Sequence, residues 1–330
     1  MRSVLAAQHA VGWGRALAWG WCSVVALALI ACSGRNAAAE LPASVQLTEG
    51  VPFCTGQLPQ GAQVLKLDIA QPRGLTRPAP VVMLVHGGGW SAGSRQDYRP
   101  LMLALAQQDM VAVSIDYRLA PQSRFPAQLE DVKCAVRWIR EHAALYQMDT
   151  RRVVAVGGSA GAHLVALLGT TAHLPRFEGR GGFSAQSSHI DAMVLHGGPY
   201  DLTVGVREAL AAPTSESVHA LNMIESLLGA SLAQRPQAYS EASAASYVSS
   251  RSASAMIIHG RLDPLVPPRQ ATRFHEVLTA HGVPSELIVI DRAGHGDFGP
   301  KPEAVTRRFL GFMKGAAPTG TPRAGSGGGG

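Results

Sequence analysis

Charge is scarce in this chain of 330 residues: 16% of it is Asp, Glu, Lys or Arg, and only 6% is aromatic. The formal excess is +6, with no run of basic residues and no basic patch interleaved with rings. Such a balance serves solubility and weak attraction to anionic surfaces, and argues against a nucleic-acid interface. His-Glu-x-x-His and Cys-x-x-Cys spacings are lacking, so no metal is expected. No internal repeat is visible. Cysteine is confined to Cys22, Cys32, Cys54 and Cys134.

Apolar sequence is abundant, at 46% of the chain, enough for one large core. Apolar runs predict strands near 64–69, 81–86, 111–115, 153–157, 192–196, 256–260 and 286–290. Helical patterns fall near 97–108, 126–145, 160–170, 218–229, 269–281 and 301–314. Continuous Val/Ile/Leu strands separated by helices predict an α/β fold, a mostly parallel sheet covered on both faces. In 126–145, Leu129, Val132, Ala135, Val136 and Ile139 form an apolar stripe. Glu130, Lys133, Arg137 and Arg140 lie off it, as a solvated face. Segments 172–190 and 201–217 fit no repeating unit. Each reads either as a cap over a site or as a surface loop.

The densest signal is Gly157-Gly158-Ser159-Ala160-Gly161, set directly after Val153-Val154-Ala155-Val156. A strand, a Gly-x-Ser-x-Gly turn and a helix raise the serine above the sheet and aim a helix N-terminus at it. Another apolar strand runs into His86-Gly87-Gly88-Gly89-Trp90. Glycines there bring backbone N–H groups close to a ligand oxygen, as acyl transfer requires. Gly88, Gly89 and Ala160 are the expected oxyanion donors. His86 is expected to hold the loop, and Trp90 to line a pocket. Tyr117, Phe183 and Tyr200 are weaker pocket candidates. The loop lacks the Lys-Ser/Thr of a nucleotide-binding loop. Asp263 follows Met256-Ile257-Ile258-His259-Gly260, and His295 sits in Gly294-His295-Gly296. The order Ser159, Asp263, His295 suits a nucleophile, an orienting acid and a base. Asp291 and Asp297 are alternative acids, because both lie near His295.

At the N-terminus, Arg2 and Arg15 accompany an apolar stretch, 16–31, too short and too weakly flanked for a membrane span. Leu29-Ile30-Ala31-Cys32-Ser33 resembles a bacterial lipoprotein box, which implies cleavage before Cys32 and its lipidation. Secretory cleavage after Ala37-Ala38-Ala39 is the alternative. Either way export is expected, to the periplasm, to a membrane through Cys32, or to the medium. Loss of residues 1–31 removes Arg2 and Arg15 and leaves a formal charge of +4. The expected organisation is a signal peptide over 1–31, a linker over 32–49, one domain over 50–314 and a disordered tail over 315–330. Export leaves Cys54 and Cys134. An oxidising compartment favours a disulfide between them, and two buried thiols are the alternative.

Together His86-Gly87-Gly88-Gly89-Trp90, Asp116-Tyr117-Arg118-Leu119-Ala120-Pro121, Gly157-Gly158-Ser159-Ala160-Gly161, His259-Gly260-x-x-Asp263 with Val266-Pro267, and Gly294-His295-Gly296 resemble an α/β-hydrolase esterase. The chain is similar to hormone-sensitive-lipase-like carboxylesterases and to bacterial feruloyl and acetyl-xylan esterases, over roughly residues 50–314. Gly158 stands where the hormone-sensitive-lipase group usually has Asp, which tilts the resemblance toward the feruloyl, acetyl-xylan and formamidase-like branch. The resemblance implies a serine hydrolase of short-chain acyl or aryl esters, acting on a small molecule without a cofactor. A formamide hydrolase with the same triad, or a non-catalytic exported binding protein, are the rival readings.

Overall fold

The computed structural model describes residues 41–58, 60–296 and 303–315. Signal-peptide, Cys32 and Asp297 expectations, and the tail from 316 onward, lie outside the described residues. Six strands run parallel: β3 (Ala79–Val85), β4 (Val111–Ile115), β5 (Met148–Gly158), β6 (Ala192–His196), β7 (Ser254–Gly260) and β8 (Ser285–Ile290). β1 (Val45–Leu58) and β2 (Gly61–Pro72) form an antiparallel hairpin that joins β4, in the order β1-β2-β4-β3-β5-β6-β7-β8.

Side chains alternate across a strand, so each central strand feeds two cores. Val81, Met83, Val85, Val153 and Ala155 pack with α2 (Ala127–Glu141), α3 (Ala160–Thr170) and α7 (Arg269–Ala280). Val82, Leu84, Val154 and Val156 pack with α1 (Arg99–Ala106) and α8 (Glu303–Met313) on the other face. With both faces covered, a near-continuous apolar run becomes a strand. The carboxyl ends of the parallel strands share one rim, where such sheets place ligands.

Two expectations need correction. β1 was not anticipated, and it starts at Val45, inside the stretch read as linker. Gly50 and Pro52 break its pattern, and the pairing with β2 shifts register between Thr48 and Val51 and between Pro52 and Cys54. Next, the charged face of α2 is solvated only at Glu130 and Arg140, which are partly exposed. Lys133 and Arg137 are buried, and both donate to Glu178, at 2.8 and 2.5 Å. Lys133 Nζ also donates to the Thr171 carbonyl at 2.9 Å. A buried cation needs such partners. Segment 172–190 supplies them, so it covers α2 rather than capping the site. Helical periodicity shows which residues share a face, not what a distant segment lays on it.

Segment 201–217 does form a cap. It folds into α4 (Leu202–Ala211) and the start of α5 (Ser215–Leu228), ahead of the short α6 (Pro236–Glu241). The Asp201 carboxylate accepts from Val204 N, and the Thr214 hydroxyl from Ser217 N, satisfying helix-start donors.

Cys54 of β1 and Cys134 of α2 are joined in a disulfide, with Cα atoms 6.5 Å apart. The bond closes a sequence separation of 80 residues. Closing a loop of that length raises the free energy of the unfolded state by about 4.5 kcal/mol at 25 °C through lost chain entropy. Two measurements check it on a chain starting at residue 41 and made in an oxidising compartment. Thiol titration of the denatured, unreduced protein is expected to find none, and Cys54→Ala/Cys134→Ala to lose stability of about that size in urea. Two reactive thiols would contradict the bond.

Candidate active site

Ser159 lies between β5 and α3 at φ 52, ψ −118. A non-glycine residue at positive φ costs about 1–3 kcal/mol, so the surroundings must impose it. They do so by close backbone approach. A Cβ at Gly161 would overlap the Val85 carbonyl oxygen, and one at Gly157 would overlap that of Gly161. Ser159 N donates to the His196 carbonyl at 2.8 Å, which pins the turn to the end of β6. The hydroxyl thus stands at the sheet rim, over the N-terminus of α3.

Loops after β7 and β8 deliver the partners. His295 Nε2 lies 3.0 Å from Ser159 Oγ, and its Nδ1 lies 2.7 Å from Asp263 Oδ2. Leu265 N and Val266 N donate to Asp263 Oδ1 at 3.0 and 2.9 Å. Burial pushes the Asp263 carboxyl up, but donors from His259, His295 and Val266 outweigh it and hold the group well below the usual carboxylate range. Asp291 is exposed and pairs with Arg261 at 2.6 Å, so Asp263 is the acid facing His295.

The glycine loop approaches from β3. Gly88 and Gly89 both have positive φ. Among the described residues, the N–H groups of Gly88, Gly89 and Ala160 donate to no backbone carbonyl in a turn, loop or cap. Gly89 and Ala160 border the cavity beside Ser159; Gly88 does not, and its carbonyl accepts from Ser91 N and Ala92 N. His86 is buried, stacks on Tyr117 at 4.1 Å and bonds the Gly87 carbonyl through Nδ1, a holding role.

Trp90 lines the cavity, and its Nε1–H donates to His163 Nδ1 at 3.2 Å. His163 Nε2 in turn donates to the Ala242 carbonyl at 2.6 Å. Both nitrogens are used as in a neutral ring, and burial pushes the His163 pKa down to about 4. This chain of bonds ties the glycine loop to α3 and to the residue after α6. The other ring candidates do not reach the cavity: Tyr117 stacks on His86, Tyr200 on Phe274, and Phe183 meets His142 edge-on.

The cavity holds about 290 Å³. Its apolar walls include Trp90, Leu202, Val206, Leu221, Met223 and Ile224, so α4 and α5 roof it. Met223 crosses the glycine loop, where a Cβ at Gly89 would overlap its sulfur. One wall is polar: Glu208 accepts from Arg269 Nε at 2.5 Å and from Arg273 Nη1 at 2.7 Å. No three His, Cys, Asp or Glu side chains converge as a metal site among the described residues. Sequence reasoning singled out neither His163, Met223 nor Glu208. His163 follows Ser159 by one helical turn, a spacing that could have marked it; Met223 and Glu208 carry no comparable signal.

Residues 67–278, more than half of the chain, match the BD-FAE family model. That stretch contains Ser159 and Asp263 but ends before His295. Esterase LipQ of Mycobacterium tuberculosis is 34% identical over 210 residues, 62% of this chain and 47% of that protein. The chain spans about half the length of the curated relatives it matches. A bifunctional GH43-CE protein of Bacteroides eggerthii is 29% identical with TM-score 0.67, over 76% of this chain and 35% of its own. Native esterase 2 of Thermogutta terrifontis is 26% identical with TM-score 0.65, over 86% of this chain and 96% of its own; it has also been solved with butyrate bound. The shared architecture is the α/β-hydrolase fold, and the chain belongs to the BD-FAE family.

Proposed function

We propose that the protein hydrolyses carboxylic esters through an acyl-enzyme on Ser159. The observation that carries this reading is the unbroken line from Ser159 Oγ through His295 to Asp263, at 3.0 and 2.7 Å, opening on an apolar cavity. His295 Nε2 accepts the serine proton as Oγ attacks the ester carbonyl, and Asp263 stabilises the imidazolium. The oxyanion is met by the N–H groups of Gly89 and Ala160, with Gly88 beside them and the positive end of α3 behind. His295 then protonates the departing alcohol. Water, deprotonated by the same ring, attacks the acyl carbonyl and frees Ser159.

A cavity of about 290 Å³ with apolar walls suits a short acyl chain or an aryl group. Esterase names among the relatives, and the butyrate held by the Thermogutta enzyme, support esters over formamides. With p-nitrophenyl esters from acetate to palmitate, turnover is expected to be confined to the short chains. Ser159→Ala is expected to lower kcat by about 10⁴-fold or more while the melting curve is kept. Activity within tenfold of wild type would remove Ser159 as nucleophile.

We also propose that the enzyme works outside the cytoplasm. The Cys54–Cys134 disulfide supports an oxidising compartment. Cleavage before Cys32 with acylation of that residue would attach the domain to a membrane. Mass spectrometry of the mature N-terminus from a bacterial host is expected to find a lipidated Cys32. An unprocessed Met1 terminus would overturn export, and an unmodified terminus near residue 40 would overturn the anchor.

A further inference from the structure

His259 is the penultimate residue of β7 and is fully buried. Its Nε2 lies 2.8 Å from the Val266 carbonyl and 3.2 Å from Asp263 Oδ2. Its Nδ1 is buried and has no hydrogen-bond partner among the described residues. A ring nitrogen facing two acceptors carries the proton, and a buried nitrogen with none does not. The geometry therefore puts the His259 proton on Nε2. Protonating Nδ1 would bury an N–H with nothing to receive it.

We infer that His259 is a positioning residue for the triad, its Nε2–H shared between the Val266 carbonyl and Asp263 Oδ2 so that the carboxylate is aimed at His295. This inference rests on the serine-esterase reading above. Asp263 then accepts four N–H donors: Leu265 and Val266 on Oδ1, His295 and His259 on Oδ2. Val266 closes the unit. Its N–H donates to Asp263, its carbonyl accepts from His259, and its side chain lines the cavity. The loop from Asp263 to Val266 is thereby wrapped around the imidazole, and one ring sets both the acid and a part of the cavity wall.

The titratable groups that face Asp263 are His295, His259 and Tyr200, whose phenol is raised chiefly by burial and also by this carboxylate. His259 and His295 share Oδ2. Removing the His259 donor leaves more negative charge on that oxygen for the His295 imidazolium. The acid limb of kcat/KM should then move to higher pH. The carboxylate also loses one of two groups fixing Oδ2, so kcat should fall by about tenfold. His259 does not itself line the cavity, and a ring of similar shape at that position keeps the Val266 wall in place, so KM should stay within about twofold.

The experiment compares wild type, His259→Phe and His259→Gln on p-nitrophenyl butyrate across pH, with melting curves for each. Phe keeps the ring and removes the donor; Gln places an N–H near the Nε2 position. The expected result is a folded Phe variant with lower kcat, unchanged KM and a shifted acid limb, and a Gln variant that regains most of both. Wild-type kcat and acid limb in a folded Phe variant would overturn the inference, as would a Gln variant no better than Phe. The wild type supplies an independent check through ¹⁵N NMR of its histidines. His259 is expected to show the Nε2–H tautomer across the pH range of the assay. A protonated Nδ1 on His259 would overturn the inference even if the Phe variant fails to fold. Failure of the underlying reading looks different: wild type itself would neither turn over esters nor react with a fluorophosphonate.

Discussion

The structure depends on one tight backbone packing. β5 ends, Ser159 turns at positive φ, and α3 begins with Gly161 pressed against the carbonyl at the end of β3. No side chain fits at that approach, and a single Cβ would separate the helix from the sheet. The strain at Ser159 persists because strand, helix and the His196 carbonyl over-determine it. Everything chemical follows from where that turn puts the hydroxyl. It stands on the strand rim, at the N-terminus of α3, within reach of loops from β3, β7 and β8.

Around this point the molecule divides its labour between two ends of the same scaffold. On the rim, polar groups are fully engaged: Asp263 is saturated with N–H donors, and His163 is bonded at both nitrogens. A side chain so constrained loses little further freedom when a transition state forms, which is what preorganisation means physically. On the flank, α2 is fastened by the disulfide to β1 and by Glu178 to the segment after α3. Buried Lys133 and Arg137 each pair with Glu178, so neither charge is left alone inside that flank.

Much of this was legible in the amino-acid order. Parallel strands such as 111–115 and 192–196 coincide with apolar runs because both faces of the sheet are covered. Ser159, Asp263 and His295 were readable because each sits in a loop after a strand, and the structure brings the three into one line. β1 was not readable, since Gly50 and Pro52 interrupt alternation in an edge strand half open to water. The burial of Lys133 and Arg137 was hidden because their partner, Glu178, is more than 40 positions away. His259 lay in plain sight, four residues before Asp263, but its use depends on a loop folding back to set Val266 against it.

In the proposed reaction Ser159 carries the acyl group between two half-reactions. The most direct test of that role is a rapid acid quench of the wild-type protein with p-nitrophenyl butyrate, followed by peptide mapping. A butyryl mass increment is expected on Ser159 and on no other residue. Ester turnover with no acylated peptide, or with the increment on another side chain, would contradict it.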